Sequence, residues 1–426
     1  MSASPVTSIP ERRNWIRALG WIAALAVAAV IIVRLFLQID RPTEFHSYFT
    51  ASRLVMEGQS VDQFYDNAWF REQSNRLVPG LHEIFKPNVP TTAVAYGPFA
   101  FFQNYVEARL VWTVLSLLLL VWFIEELIRI AGADSVARPF WYAAVLLAQP
   151  IQLNLFQGQA YIVVAAGLIL ALKFWQRTRD ISAGATLAAL FAYKSAGTIL
   201  WPVAIAAGRW RIVLTGVAVL ILIVIATWPI IGASGWLAYL KDLRDISAAP
   251  GMRSSAYQSV ESIVRHLLSE QGRLGSPVVA LPVGVARGIA MAIALLLLGF
   301  TMYAAHRHPD NELVVGAALL LALILIPLNQ IHAYPVALIP TAQLARRLSG
   351  IPHEWKGLAL WAGSAMIVLP TPNRLLQPID GWAALLAYPK LYGGLLLWAA
   401  CMSLIMHGEQ SSARQSGRDE FQQARL

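Results

Sequence analysis

A single lysine, Lys194, interrupts the apolar stretch LAALFAYKSAGTILW, residues 187–201. Two other polar islands, residues 157–159 and 329–332, break hydrophobic runs in the same way. A charge or an amide inside a bilayer is costly, so such groups usually face a water-filled cavity or a functional site. The stretch around Lys194 therefore predicts a membrane-embedded chain with a polar site in it.

The composition agrees with membrane embedding. Of the 426 residues, 57% are hydrophobic and 13% are charged, whereas soluble domains carry about 25% charged residues. Arginines within residues 12–17 precede an apolar run over residues 19–36 that no small-residue cleavage site follows, which predicts an uncleaved first helix. The single cysteine, Cys401, excludes an intramolecular disulfide and a cysteine metal cluster. The net charge of +9 does not indicate nucleic acid, because basic loops of membrane proteins face the cytoplasm and anionic lipid.

Apolar segments of about 20 residues, with some shorter ones, predict about 12 transmembrane helices, within a range of roughly 10 to 13. These segments lie near residues 15–36, 107–130, 138–154, 159–175, 181–193, 197–208, 211–231, 281–305, 311–328, 332–348, 354–370 and 383–407. The predicted fold class is an all-α polytopic membrane protein, with one transmembrane domain over residues 1–407. The polar tail, residues 408–426, is predicted to be a disordered cytoplasmic segment.

Basic residues determine the predicted orientation. They cluster at the N-terminus and at alternate connections, around residues 129–138, 173–179, 209–211, 307 and 346–347. The positive-inside rule puts these clusters and both termini in the cytoplasm. The opposite, outer face then receives the first loop (residues 37–106), the second loop (residues 232–280) and all three polar islands. We therefore predict a multi-pass protein of the plasma or inner membrane, with its site on the extracellular or periplasmic side.

Both long loops contain helical patterns. Residues 48–56 alternate apolar and polar positions at helical spacing, and Gly58 follows as a C-cap. In the second loop, residues 260–268 form one apolar stripe with Glu261 and Arg265 off it. Such amphipathic helices suit a membrane surface.

Short motifs occur in a fixed order along the chain. Glu44-Phe-His-Ser-Tyr48 is followed by Gly58 and Tyr65-Asp66, then by Tyr96-Gly-Pro, Gln157-Gly-Gln159, Tyr193-Lys194 and Tyr257-Gln258-Ser259. Over residues 40–345 the chain resembles glycosyltransferase family 87, the polyprenyl-phosphate-mannose-dependent mannosyltransferases of the GT-C superfamily. It departs from the family pattern at three positions. The acid is Glu44 rather than Asp, Ser195 rather than Pro follows the lysine, and Tyr257 replaces Asn.

The resemblance implies a GT-C-like bundle and inverting transfer of a hexose, mannose in the family, from a polyprenyl-phosphate sugar to a lipid or glycan acceptor. The chemistry needs a base for the acceptor hydroxyl and cations for the departing phosphate. Glu44 is the predicted base, with Asp40 and Asp66 as competitors. The predicted phosphate ligands are Lys194, Arg265 and His332. The predicted sugar or acceptor ligands are Tyr48, Tyr96, Gln157, Gln159, Gln258 and Asn329. No metal or other cofactor is expected.

Other interpretations remain open on the sequence alone. Glu44 is also consistent with a solvated acid near the membrane surface. Lys194 is also consistent with a side chain that extends to the membrane–water interface. Residues 157–159 are also consistent with a simple turn between two helices. A transporter or flippase of lipid-linked sugars would also contain intramembrane polar groups. Such a protein should carry them along a path to both faces, whereas the islands here are one-sided. The partners expected are therefore the sugar lipid, the acceptor and membrane lipids, without nucleic acid.

Overall fold

Helices account for the regular structure of the chain. The computed structural model describes residues 9–41, 43–80, 82–248, 255–269, 276–349, 355–371 and 379–423, and these parts contain no β-strand. The α-helices are α1 (Ile9–Phe36), α2 (Phe45–Met56), α3 (Asn67–Leu77), α4 (Pro90–Ala95), α5 (Tyr105–Ala131), α6 (Arg138–Leu147), α7 (Gln149–Gln157), α8 (Tyr161–Gln176), α9 (Asp180–Lys194), α10 (Leu200–Ala206), α11 (Trp210–Ala248), α12 (Val260–Leu268), α13 (Val283–Arg307), α14 (Glu312–Leu325), α15 (Leu338–Leu348), α16 (Trp355–Val368) and α17 (Pro389–Gln423). Short 3-10 helices cover Val61–Tyr65, Gly97–Phe101, Ile331–Ala337 and Gly381–Ala387.

Within these described parts, five helices are long and apolar enough to cross a membrane. They are Arg13–Phe36 of α1, α5, Trp210–Ile246 of α11, α13 and Pro389–Met406 of α17. The prediction of an all-helical membrane protein is thereby confirmed, while the count of about 12 spans stays a prediction. Several predicted spans are short or broken helices. Residues 138–154, for example, divide at Ala148 into α6 and α7, because Pro150 has no N–H to continue the helix and favours a new helix start.

The first loop folds into α2, α3, α4 and two 3-10 helices. Gly58 follows α2 with a φ of +75°, in the left-handed region that glycine adopts without strain. Asp66 caps α3, since its carboxylate accepts the Ala68 N–H at 2.9 Å. Residues 45–52 of α2 are all buried. The predicted helix is therefore present, but it is enclosed by protein rather than exposed at the surface of the fold; its position relative to the membrane stays a prediction.

The second loop shows the same difference. Its apolar stripe forms α12, as predicted, yet Arg265 and His266 on the polar side are as buried as Val260 and Val264 on the apolar side. The helix is enclosed by protein because α13, α14 and the 3-10 helix Gly381–Ala387 pack around it.

A kink in α11 brings the membrane part and the first loop together. Gly232 has φ 62° and ψ 176°, a combination that is essentially restricted to glycine. The helix beyond it packs on the 3-10 helix Val61–Tyr65, where Tyr239 joins an aromatic core with Phe64 and Phe85. The second half of α11 thus becomes a wall of the first loop rather than a continuation of the span.

The backbone of α17 extends into the C-terminal tail, as far as residue 423. Glu, Gln and Arg, which have high helix propensity, make up half of residues 408–423. The disorder and cytoplasmic position of the tail stay predictions.

The predicted orientation can be tested by labelling. Gln176→Cys, beside Arg177, should resist an impermeant thiol reagent added to intact cells, because this connection belongs to the cytoplasmic set. Gln59→Cys in the first loop should be labelled under the same conditions. Both positions are exposed in the structure, and the native Cys401 is fully buried, so it adds no background. Labelling of Gln176→Cys from outside the cell would contradict the predicted orientation and favour the opposite one.

Candidate active site

A cavity of about 560 Å³ lies where the first loop meets the helical bundle. It brings together six of the predicted site residues: Glu44, Tyr48, Gln159, Lys194, Asn329 and His332. The first loop contributes much of the polar lining. An apolar part of the lining comes from α8 and α14, through Val164, Leu168, Leu319, Ala322 and Leu323.

Lys194 is the last residue of α9, and its ammonium lies inside the cavity wall. Its Nζ donates to the Tyr48 hydroxyl at 2.7 Å and to Asn88 Oδ1. The Tyr48 hydroxyl in turn donates to Gln159 Oε1 at 2.9 Å. Lys194 is half-buried, and a cation shielded from water needs hydrogen bonds in its place. These contacts use two of the three N–H donors of the ammonium. In the described part of the chain the third donor has no protein acceptor, so it is available to a ligand.

Asn88 is a site residue that sequence reasoning missed. Its Nδ2 donates to the Phe85 carbonyl, which turns Oδ1 toward Lys194. Asn88 lies in a loop rather than within a hydrophobic run, so no pattern in the sequence marks it.

Glu44 immediately precedes α2, and its carboxyl lines the cavity. Burial raises the pKa of Glu44 above its ordinary value; the Lys194 ammonium opposes this rise, and the Glu83 carboxylate adds to it. Of the two competing acids, Asp40 is exposed in the turn after α1 and Asp66 caps α3. Neither lines the cavity, so the geometry favours Glu44.

The turn between α14 and α15 supplies the remaining wall. Asn329 Nδ2 donates to the carbonyls of Ala322 and Leu323 at 2.7 and 3.0 Å, so its amide nitrogen caps α14 and only its oxygen is available to a ligand. The His332 ring lies 5.1 Å from the Tyr161 ring, centroid to centroid, and both residues line the cavity.

Two predicted sugar ligands lie just behind the cavity. Tyr96 is 1% exposed and stacks on Tyr48 at 4.5 Å between ring centroids; Tyr193 stacks on its other face. Tyr96 therefore supports Tyr48 rather than lining the site. Gln157 ends α7 and is also outside the cavity lining.

The structure places two more predicted ligands elsewhere. Gln258 is fully buried; its Nε2 donates to the carbonyls of Ser255 and Ala387, and its Oε1 accepts the Lys390 N–H at 3.0 Å. Its amide joins the second loop to α17. Arg265 is buried on α12 and pairs with Glu261 at 3.4 Å. Neither residue lines the cavity, so the structure does not bring them together with Glu44 and Lys194, and their roles as ligands stay predictions.

Arg109 is a second residue that the sequence reasoning missed. It is 2% exposed, and its NH2 group donates to the carbonyls of residues 155–156 at 2.7 and 3.0 Å. Trp112 Nε1 donates to the Gly158 carbonyl at 3.0 Å. Gly158 has a φ of +68°, and a Cβ there would lie 2.1 Å from the Arg109 guanidinium. Arg109 and Trp112 thus fix the turn that aims Gln159 at Tyr48.

The family model of glycosyltransferase family 87 matches residues 88–327, more than half of the chain. The chain belongs to glycosyltransferase family 87. No curated protein and no solved structure matches it. The family 87 match includes Asn88, Gln159 and Lys194. Lys194 donates to Asn88 directly and is linked to Gln159 through Tyr48. Glu44 and Tyr48 precede the matched region, and His332 follows it.

The Arg109 clamp predicts a distant effect on transfer by this family 87 enzyme. Arg109→Lys should lower turnover by about 10²-fold, because an ammonium cannot reproduce the guanidinium fork and a displacement of about 1 Å at the site costs that much. Arg53→Lys is the matched control. Arg53 also donates to a backbone carbonyl, that of Ala100, at 2.8 Å, but neither residue lines the cavity. Equal losses in both variants, at equal yield of folded protein, would contradict a positioning role.

Proposed function

We propose that this family 87 glycosyltransferase moves a hexose, with mannose as the first choice, from a polyprenyl-phosphate sugar to a lipid or glycan acceptor. The reaction inverts the anomeric carbon and takes place at the outer face of the membrane. One observation carries the proposal. A single cavity holds the acid Glu44 and a hydrogen-bonded cation, Lys194, beside apolar side chains.

The two kinds of lining match the two parts of such a donor. The apolar lining, from α8 and α14, suits an isoprenoid chain. Lys194 and His332 lie on the lining together, where a phosphate would meet the free donor of the ammonium. Gln159 and Tyr48 are next to that cation, at the place where the first sugar would lie.

The bond changes follow from this arrangement. Glu44 takes the proton of the acceptor hydroxyl as the oxygen attacks the anomeric carbon from the face opposite the phosphate. The anomeric C–O bond breaks, and its electron pair goes to the phosphate oxygen. Lys194 stabilises the charge that develops there. The described residues contain no group of three His, Cys, Asp or Glu side chains that would hold a metal ion; independence of cofactors stays a prediction.

A transporter or flippase of lipid-linked sugars is the alternative function. The cavity lining draws on the first loop, α8, α9, α11, α14 and the residues around Tyr257 and His332, and none of the basic residues of the cytoplasmic set is part of it. A transport path would connect both faces. The one-sided lining and the family favour the transferase.

Glu44→Gln should separate binding from chemistry. The amide keeps the shape of the side chain and loses only proton acceptance, so turnover should fall about 10²–10⁴-fold while donor affinity is retained. Transfer from radiolabelled polyprenyl-phosphate mannose to a lipid extract of the host measures the first quantity, and donor binding to purified protein measures the second. If Asp40→Asn and Asp66→Asn are also active and Glu44→Gln transfers at the normal rate, the proposal fails.

Lys194→Met should give a different pattern. Methionine fills a similar volume without charge, so both donor affinity and turnover should fall, because a cation that binds the ground-state phosphate also serves the leaving group. Unchanged donor affinity in this variant would remove Lys194 from the phosphate site.

The pH profile provides an independent check on the base. Glu44 acts only when ionised, and burial raises its pKa, so activity should be lost on acidification at a pH above that of an ordinary carboxyl, about 4.3. In Lys194→Met the loss should occur at still higher pH, because the ammonium lowers the pKa of Glu44. The measurement is the residual activity of Lys194→Met across pH. A pH profile identical to that of the wild-type protein would contradict the assignment of Glu44 as the base.

A further inference from the structure

One buried side chain outside the cavity lining joins two segments that form the lining. Asn154, on α7, is 1% exposed. Gln159 and Tyr161 follow it around the start of α8, and His332 lies in the 3-10 helix between α14 and α15. Those three residues line the cavity, whereas Asn154 does not. The transfer step as derived above gives Asn154 no role.

The Asn154 amide is bonded to backbone groups of both segments. Its Nδ2 donates to the Pro150 carbonyl at 2.8 Å, within α7, and to the His332 carbonyl at 2.6 Å. Its Oδ1 accepts the Tyr161 N–H at 2.9 Å. The backbone carbonyl of Asn154 accepts the Gln159 N–H, also at 2.9 Å. An amide nitrogen has two N–H donors, so both donors of Asn154 are used, and one residue binds three residues of the lining.

These hydrogen bonds hold together parts of the site that are far apart in sequence. Asn154 and His332 are 178 positions apart. Where the two segments meet, the His332 ring lies 5.1 Å from the Tyr161 ring, centroid to centroid. The Lys194 Nζ lies 5.9 Å from the centroid of the same Tyr161 ring. The relative position of His332 and the start of α8 therefore also determines how His332 lies relative to the cation.

Asparagine has the hydrogen-bonding pattern that this position needs. Leucine has a similar volume but no polar atoms, and an ionised aspartate accepts hydrogen bonds but donates none. Without the amide, the His332 carbonyl and the Tyr161 N–H each lose a buried hydrogen bond, which is unfavourable. The two segments would then shift apart, and a displacement of about 1 Å at a reacting centre costs about 10²-fold in rate.

We propose that Asn154 is a positioning residue for the transfer reaction, which fixes the turn of His332 against the segment of Gln159 and Tyr161. The groups assigned to the phosphate and to the first sugar of the donor thereby keep their relative positions. This inference rests on the proposed transferase function. Because Asn154 acts through His332 and lies behind the lining, its contribution should be lost where the His332 side chain is absent.

A double-mutant cycle on the full-length protein tests this role, with transfer from radiolabelled polyprenyl-phosphate mannose to a host lipid extract as the measurement. Asn154→Leu should lower kcat about 10²-fold. His332→Ala should lower kcat in the wild-type protein, and should lower it at least about tenfold less in Asn154→Leu, because the effects of residues that act together are not additive. Asn154→Asp keeps the acceptor for Tyr161 and loses the donors, so it should show the same coupling to His332→Ala. It also provides the cycle if Asn154→Leu does not fold.

Gln343→Leu is the matched control. Gln343 is also 1% exposed, and its Nε2 donates to the Glu312 carbonyl at 3.0 Å, which joins α15 to the start of α14. It does not line the cavity. Asn154→Leu and Gln343→Leu should both lower the midpoint of thermal unfolding, since each removes buried hydrogen bonds. In Gln343→Leu, however, His332→Ala should retain its full effect on kcat.

The outcomes separate a positioning role from a structural one. Additive effects of Asn154→Leu and His332→Ala on kcat would overturn the inference and leave Asn154 a structural residue. Normal kcat in His332→Ala or in Asn154→Asp would also overturn it, as would equal coupling in Gln343→Leu. None of these results contradicts the transferase function. If the wild-type protein transfers no mannose to the extract or to water, the proposed function itself fails, and this inference fails with it.

Discussion

The hydrogen bonding of the half-buried Lys194 ammonium is the constraint on which the arrangement of the site depends. An uncompensated charge in the bundle is strongly unfavourable, and the groups that hydrogen-bond it come from distant parts of the chain. Tyr48 approaches from α2 and Asn88 from the loop before α4. Thr91 and Thr92 donate to the last carbonyls of α9 beside the lysine. The end of α9 is thus the point at which the first loop is fixed to the membrane helices.

This docking gives the cavity its two kinds of lining. The helices of the bundle provide apolar surface, whereas the first loop provides the acid and much of the polar lining. Rigid aromatic packing supports that loop from behind, through Tyr48, Tyr96 and Tyr193 in a stack. The region matched by family 87 covers the cation and its amides but not Glu44. The cavity is therefore assembled from the matched region and from residues on both sides of it.

Sequence patterns revealed the parts of the site whose polarity conflicts with their surroundings. Lys194, Gln159 and His332 each interrupt an apolar run, and such a conflict is visible without a structure. Arg109 lies in the first turns of α5, two residues after Glu107, so it interrupts no apolar run and carries no such signal. Asn88 carries none either. Gln258 and Arg265 lie outside the cavity lining, because hydrophobic patterning indicates that a polar group is buried but not which distant atoms contact it.

Helix existence was predictable for the same reason, since long apolar segments and a stripe such as residues 260–268 mark helices by periodicity alone. The depth at which each helix is buried and the positions of helix kinks were not predictable from the sequence. The burial of α2 and the kink at Gly232 depend on packing between elements far apart in sequence. A local pattern contains no information on such contacts.

Because the cavity is assembled from segments that are distant in sequence, its walls are synthesised at different times. At about 5–20 residues per second, the roughly 290 residues between Glu44 and His332 take about 15 to 60 s to translate. During about the first half of that interval α9 has not been made, and α14 is missing for nearly all of it, so the first loop lacks these parts of the cavity wall. Phe64, Phe70 and Phe85 lie within the loop itself and provide a local hydrophobic cluster before the rest of the chain arrives. Closure of the cavity is thus a late step of biogenesis, completed only after the last wall has been inserted.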